Sequence, residues 1–155
     1  MNAEAQPGSG SKLGFIAGGR HWLTELGQVN EVVTTARITP VPWAKPWFIG
    51  VAGVRGVIHG CTDLAAFFGI RPPSIADEMR LLLVHPRFGI NAGLVIERAV
   101  GLRNLQAMAQ HPRAASDPDW VLAHWQDGDG QDWTEISLEQ LVVSPAFQQA
   151  GSETL

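Results

Sequence analysis

The run His59-Gly60-Cys61-Thr62-Asp63 places an imidazole, a thiol and a carboxyl at alternate positions, and on an extended strand all three would point to one face. Such a trio could ligate a metal ion. Zinc sites, however, use four protein ligands, or three with an open position for water, and His21, His85, His111 and His124 are scattered through the chain without paired spacing. Asp63 stands immediately before Leu64-Ala65-Ala66-Phe67-Phe68-Gly69, where a helix N-cap belongs, and Cys61 lies in an apolar stretch where a small thiol packs well. A small metal-dependent enzyme using His59, Cys61 and Asp63 is thus the alternative reading of this chain.

Other reactive patterns are weaker. No serine sits in a Gly-x-Ser-x-Gly elbow, and His59 is the one basic neighbour that could activate the Cys61 thiol. Asp127-Gly128-Asp129-Gly130 opens like a calcium loop, but Asp132 stands where that loop needs glycine and Leu138 where it needs glutamate. It reads as a hairpin turn. Gly8-Ser9-Gly10-Ser11-Lys12 has neither the glycine spacing of a phosphate loop nor a strand before it. The expectation is a protein with no catalytic residues, no metal and no cofactor.

The stretch that must position any site runs from Pro46 to Ile70, the longest nearly apolar part of the chain. A membrane span is excluded there, because Arg55, His59 and Asp63 would lie at depth and Gly50, Gly53, Gly56 and Gly60 interrupt it. Runs rich in Val and Ile on either side of Arg55-Gly56 predict two buried strands joined by a tight turn, with Arg55 at the tip in water. Composition agrees with a folded core: 155 residues, 45% of them hydrophobic, fit one domain or two small lobes, burying roughly 70% of the unfolded surface. A net charge of -4 without a basic cluster argues against nucleic acid. One cysteine and an N-terminus without an apolar signal core predict a cytoplasmic protein with no direct membrane insertion.

In chain order, residues 1–11 read as a disordered tail, 12–145 as the folded unit and 146–155 as a flexible tail. Leu13 to Ala17, Gly18-Gly19 and Trp22 to Leu26 form a hairpin, and Gln28 to Thr35 the next strand. The three prolines between Arg37 and Pro46 forbid a helix. After the central hairpin comes a short helix, with Asp63 as its N-cap and Gly69 as its C′ residue. A polar loop over 71–77 follows, then a buried strand from Met79 to His85 and a returning strand from Gly89 to Val100. Residues 106–118 look like a long surface connection. The last unit is a hairpin about Asp127-Gly128-Asp129-Gly130, followed by a helix from Ser137, whose spacing to Gln140 suits a capping box, to about Val143. Beyond Pro145 the chain is expected to fray. Many short strands and two brief helices predict an all-β fold of barrel type.

Several of these residues carry a resemblance to the CheW-type coupling proteins of bacterial chemotaxis, and within them to the PilI-like adaptors of type IV pilus systems. Val29-Asn30-Glu31-Val32 is similar to the family's segment ending in Glu-Val or Glu-Ile, and Arg37-Ile38-Thr39-Pro40-Val41-Pro42 to its proline-bearing strand. Phe48-Ile49-Gly50-Val51, Val54-Arg55-Gly56-Val57-Ile58, Asp63-Leu64 and Phe68-Gly69 follow its signature hairpin and helix. The likeness covers roughly residues 12 to 143 and thins towards the C-terminus. Gly53-Val54 departs from the usual Asn-Leu before Arg-Gly, and six tryptophans colour the chain in a way the family pattern does not.

The resemblance implies two packed SH3-like five-stranded β-barrels with short helices, and no active site. It implies a signalling adaptor that couples the cytoplasmic tip of a methyl-accepting chemoreceptor to the regulatory domain of a CheA-type histidine kinase, recruited to membrane-associated receptor arrays. Another reading within the same resemblance is a structural subunit without a signalling role. Carried over position by position, Val29, Glu31, Gly50, Arg55 and Gly56 fall on the partner-binding surface. Each has a physical reason to be there. Arginine at a hairpin tip offers five donors in a fixed fork, Gly50 and Gly56 allow turns and close backbone approach, and Val29 would give an exposed apolar contact rimmed by Glu31. Trp43 and Trp47, flanking prolines, would mark an interface if both were exposed.

Overall fold

The computed structural model describes residues 11–74, 76 and 78–150. The tails expected over residues 1–11 and 146–155 therefore lie largely outside the described residues. Among the described residues, eleven strands form two sheets. Strands β3 (Val29–Ala36), β4 (Phe48–Val54), β5 (Val57–Asp63), β6 (Met79–Val84) and β7 (Ala92–Ile96) make a five-stranded sheet in the order β3-β6-β7-β5-β4. The other sheet joins the two ends of the chain: β1 (Ser11–Ala17) and β2 (Arg20–Thr24) pair with β8 (Arg98–Asn104), β9 (Ala109–His111), β10 (Val121–Gln126) and β11 (Asp132–Ile136) in the order β8-β1-β2-β11-β10-β9. One lobe is thus inserted whole into the other.

The five-stranded sheet closes on itself. After β3 the chain makes a two-bond bridge to the far edge, Thr39 N–H to Val51 O and Val51 N–H to Thr39 O, both 2.8 Å, so the outer strands β3 and β4 are joined. In the six-stranded sheet the edge strands β8 and β9 are consecutive in the chain, linked through a single 3-10 turn at Leu105–Ala107. Closure removes open strand edges that would invite pairing with other chains. The all-β fold of two packed small barrels stands as expected, with six strands rather than five in one of them.

Period-two alternation on β6 and β7 explains how the lobes share a core. Leu81, Leu83 and Val95 point into the five-stranded barrel beside Ala36, Ile49, Ala52 and Cys61. Leu82, Val84, Leu94 and Ile96 point the other way, against Leu13, Phe15 and Trp22 of the second lobe and Leu138, Leu141 and Val142 of the C-terminal helix. Strands buried on both faces read as uninterrupted aliphatic runs, as Leu81 to Val84 does.

Local signals set the element ends. Gly18 and Gly19 turn β1 into β2 with φ of 63° and 73°, the left-handed pair that a two-residue hairpin requires. Asp63 caps helix α1 (Leu64–Phe67) by accepting from Ala66 N–H. Ser137 caps α2 (Leu138–Val143) through Gln140 N–H.

Four expectations need correction. The returning strand from Gly89 to Val100 is two strands, β7 and β8, in different sheets; at Glu97 the backbone crosses over, its N–H donating to Ile16 O at 2.7 Å. Hydrophobic patterning does not register a change of sheet. Strand β2 ends at Thr24, and Leu26–Gln28 is a 3-10 turn. The connection over 106–118 contains β9, and the chain does not fray at Pro145. Ser144 caps a third helix, α3 (Pro145–Gln148), with proline at its first turn and Phe147 buried.

Candidate functional site

The β4–β5 hairpin closes on two residues, since Val54 pairs directly with Val57. Arg55 and Gly56 have φ of 51° and 79°, both left-handed. Arginine rarely adopts that conformation and glycine does so freely, so Gly56 is the residue that makes the turn affordable. Arg55 leaves 75% of its side chain in solvent, as expected of a tip, and its guanidinium forms an ion pair with Glu31 of β3, whose side chain is 27% exposed. The tip therefore reaches across the mouth of the five-stranded barrel to the opposite edge strand.

Beneath that bridge lies a recess of about 240 Å³. Val54, Val57 and Leu83 supply apolar walls, Asn30 and Asn91 polar ones, and His59 also lines it. The inward face of β5 explains this order. Val57 is exposed at the mouth, His59 is buried and Cys61 lies in the core below, two residues apart each time. His59 holds Nδ1 at 3.1 Å from Val57 O.

The other candidate residues are placed differently. Gly50 is buried with φ of 147°, and an added Cβ would stand 2.1 Å from Thr39 O. Its close approach is to the chain's own backbone, at the bridge that closes the barrel. Val29 is half-buried and packs on the inter-lobe core, so it is not the exposed contact expected of it. Of the two tryptophans, Trp43 is 65% exposed with φ of 61°, whereas Trp47 packs against Phe67 and Phe147. Arg55, Gly56 and Glu31 come together; Gly50 lies instead at the Thr39 bridge and Val29 on the inter-lobe core. The sequence reading missed Asn30, Leu83 and Asn91. The pairing of β3 with β6, and of β5 with the chain entering β7 through Gly60 N–H to Asn91 O, brings them to the mouth, and no local spacing announces it.

The groups suggestive of metal chemistry are each otherwise engaged. Burial pushes the Cys61 thiol up to about 12, far from the thiolate a metal would need, and its S–H points at His59 O, 3.6 Å away. Asp63 is fully buried and accepts from Ala66 N–H, Ser74 N–H and Arg71, the last two at 3.0 Å. Among the described residues, no three of His, Cys, Asp and Glu stand where they could share a metal ion. Asp127 is a turn residue: one carboxylate oxygen accepts from Asp129 and Gln131 N–H, the other from the Trp133 indole. The Trp133 bond, then those backbone bonds, hold its pKa below the usual carboxylate value. Asp117 is lowered similarly, first by its bond to His124. Among the described residues no helix is long and apolar enough to cross a membrane.

Comparison with known proteins fits this geometry. Over 96 residues, 62% of its length, the chain is 34% identical to the protein PilI of Pseudomonas aeruginosa, and the match spans 53% of that relative, about half. It is 26% identical over 142 residues to the chemotaxis protein CheW of Bacillus subtilis, covering 92% of this chain and 81% of that one. The crystal structure of the scaffolding protein TtCheW from Thermoanaerobacter tengcongensis superposes with a TM-score of 0.71 over 88% of this chain and 94% of its own, at 21% identity, which establishes a common fold. The model of the CheW-like domain matches residues 12–146; this chain belongs to the CheW-like domain family.

Proposed function

We propose that this protein is a non-enzymatic signalling adaptor that couples a methyl-accepting chemoreceptor to a CheA-type histidine kinase, in the control of type IV pili. It would work at membrane-associated receptor arrays and do no chemistry of its own. The observation that carries this reading is the Arg55-Gly56 tip. A strained turn exposes a guanidinium fork, Glu31 pairs with it, and an open recess lies beside it. Guanidinium is suited to carboxylates and backbone carbonyls of a partner because its donors are planar and fixed in direction. The likeness to PilI supports the pilus assignment.

Calorimetry of the full chain against the receptor's cytoplasmic hairpin and against the kinase regulatory domain tests this. Arg55→Ala should fold normally and weaken binding to at least one of them by about tenfold, the scale of an interface hot spot. Unchanged affinity for both would sink the reading.

A further inference from the structure

We propose that the recess at the mouth of the five-stranded barrel seats one side chain of the receptor's helical hairpin, a side chain ending in an N–H or O–H donor, on Nε2 of His59. The proposal rests on the adaptor reading and names what the same surface would recognise.

His59 is 7% exposed, so its ring is held by the fold. Val57 O, at 3.1 Å from Nδ1, can only accept. Nδ1 therefore carries the proton, and in the neutral imidazole Nε2 is left with a lone pair. Among the described residues no protein group donates to it. Nor is it sealed away: the buried side-chain atoms that lack both partner and solvent are His21 Nδ1 and Thr24 Oγ1, whereas His59 borders the recess. A largely buried acceptor that opens onto a cavity gains most from a guest donor, because the alternative in a dry interface is an unmade bond.

Size and charge narrow the guest. About 240 Å³ accommodates a side chain and not a folded segment, and apolar walls at Val54, Val57 and Leu83 suit its aliphatic or aromatic body. The charged groups facing the recess are Glu31 from β3 and Arg55 from the turn, already paired; β6 presents Leu83, and Asn91 precedes β7. Behind His59 on its own strand lies the Cys61 thiol, neutral through burial. A carboxylate guest would sit beside Glu31 and would require a protonated imidazole. A neutral donor meets neither obstacle.

The test is calorimetry of the intact protein with the receptor hairpin and, separately, the kinase regulatory domain. His59→Leu should bind the hairpin about tenfold more weakly than wild type, and His59→Phe, which keeps a ring but no acceptor, should do the same and serves as the readout if His59→Leu does not fold. His59→Gln, which keeps an acceptor oxygen, should bind within a few-fold of wild type. Wild-type affinity in folded His59→Leu or His59→Phe, a loss in His59→Gln as large as in those, or a loss confined to the kinase domain would each overturn the proposal. Failure of the two readings is distinguishable. Arg55→Ala without effect on either partner defeats the adaptor surface itself, whereas Arg55→Ala with effect and His59 variants without defeats the recess alone.

Discussion

One charged pair from each barrel makes a contrast. In the six-stranded barrel, Lys12 and Glu135 meet at 3.3 Å with side chains only 13% and 10% exposed, and Glu135 also accepts from the Trp125 indole at 3.0 Å. In the five-stranded barrel, Arg55 and Glu31 pair at the mouth with 75% and 27% of their side chains in solvent. Breaking a buried pair strands a charge in low dielectric, so the first pair is committed to the fold. An exposed pair adds little stability, which leaves the second available to exchange its partner. Under the adaptor reading, the open mouth with its weakly committed ion pair is the end that meets a partner.

That contrast holds only if the lobes fold as one unit, and the shared core offers the severest trial of it. Leu82 is fully buried between them. Leu82→Ala should cost about 3 kcal/mol and lower a single unfolding transition, read by denaturant titration with both fluorescence and far-ultraviolet circular dichroism. Two separated transitions would break the comparison, because they would mean that the lobes are stable apart.

Removing one member of the buried pair should come close behind. Glu135→Ala is expected to destabilise by about 3 kcal/mol, leaving Lys12 and the Trp125 indole without their acceptor, with little dependence on salt. Loss of much less than that would show that water reaches the six-stranded barrel and that its pair is no more committed than the one at the mouth.

The core of the five-stranded barrel has its own signature in pH. The Cys61 pKa is raised by burial from 9.0 to about 12, so the unfolded chain gives up its thiol proton first. The associated stability is fully present below pH 9.0 and is lost as pH rises towards about 12. Wild type should therefore unfold more readily in alkali than Cys61→Ala when each is referred to its own stability at neutral pH. Parallel alkaline titrations of the two would show that water enters at the mouth as deep as Cys61.

Smallest of all should be the effect of Arg55→Ala on folding: less than about 0.5 kcal/mol, shrinking further at high salt. A thermal melt reads it. Destabilisation on the scale expected of Glu135→Ala would erase the distinction between the pairs and make Arg55 a structural residue.

Parts of this were legible in the residues themselves. Arg-Gly between two Val- and Ile-rich runs announced the exposed tip, Asp63 before an apolar turn announced its cap, and Ser137 with Gln140 announced another. All three are local, fixed by backbone dihedrals and hydrogen bonds within four residues. Glu31 was recognised as a candidate, but its pairing with Arg55, twenty-four residues on, was not. Gly50 was read as a place for a partner's backbone to come close, and the backbone that comes close is that of Thr39. Val29 was carried over from the resemblance as an exposed contact, and the second lobe covers it. Gln28 gives another long-range surprise: its side-chain oxygen accepts from Leu138 N–H at 2.7 Å, closing the start of α2 from 110 residues away.

The sequence by itself determined most of the strands, the hairpin turns at Gly18-Gly19 and Arg55-Gly56, the caps at Asp63 and Ser137, the apolar stretch at the centre of the chain, and the family signature that runs through it, since each depends on side-chain type and short spacing. The tertiary structure decided which strands are neighbours: the parallel pairings of β5 with β7 and β2 with β11, the change of sheet at Glu97, and the closure at Thr39 and Val51. Those choices come from burying two faces of β6 and β7 at once, a global condition that no window of residues contains. They are also what turned His59 from a doubtful metal ligand into the floor of a recess beneath the Arg55-Glu31 bridge.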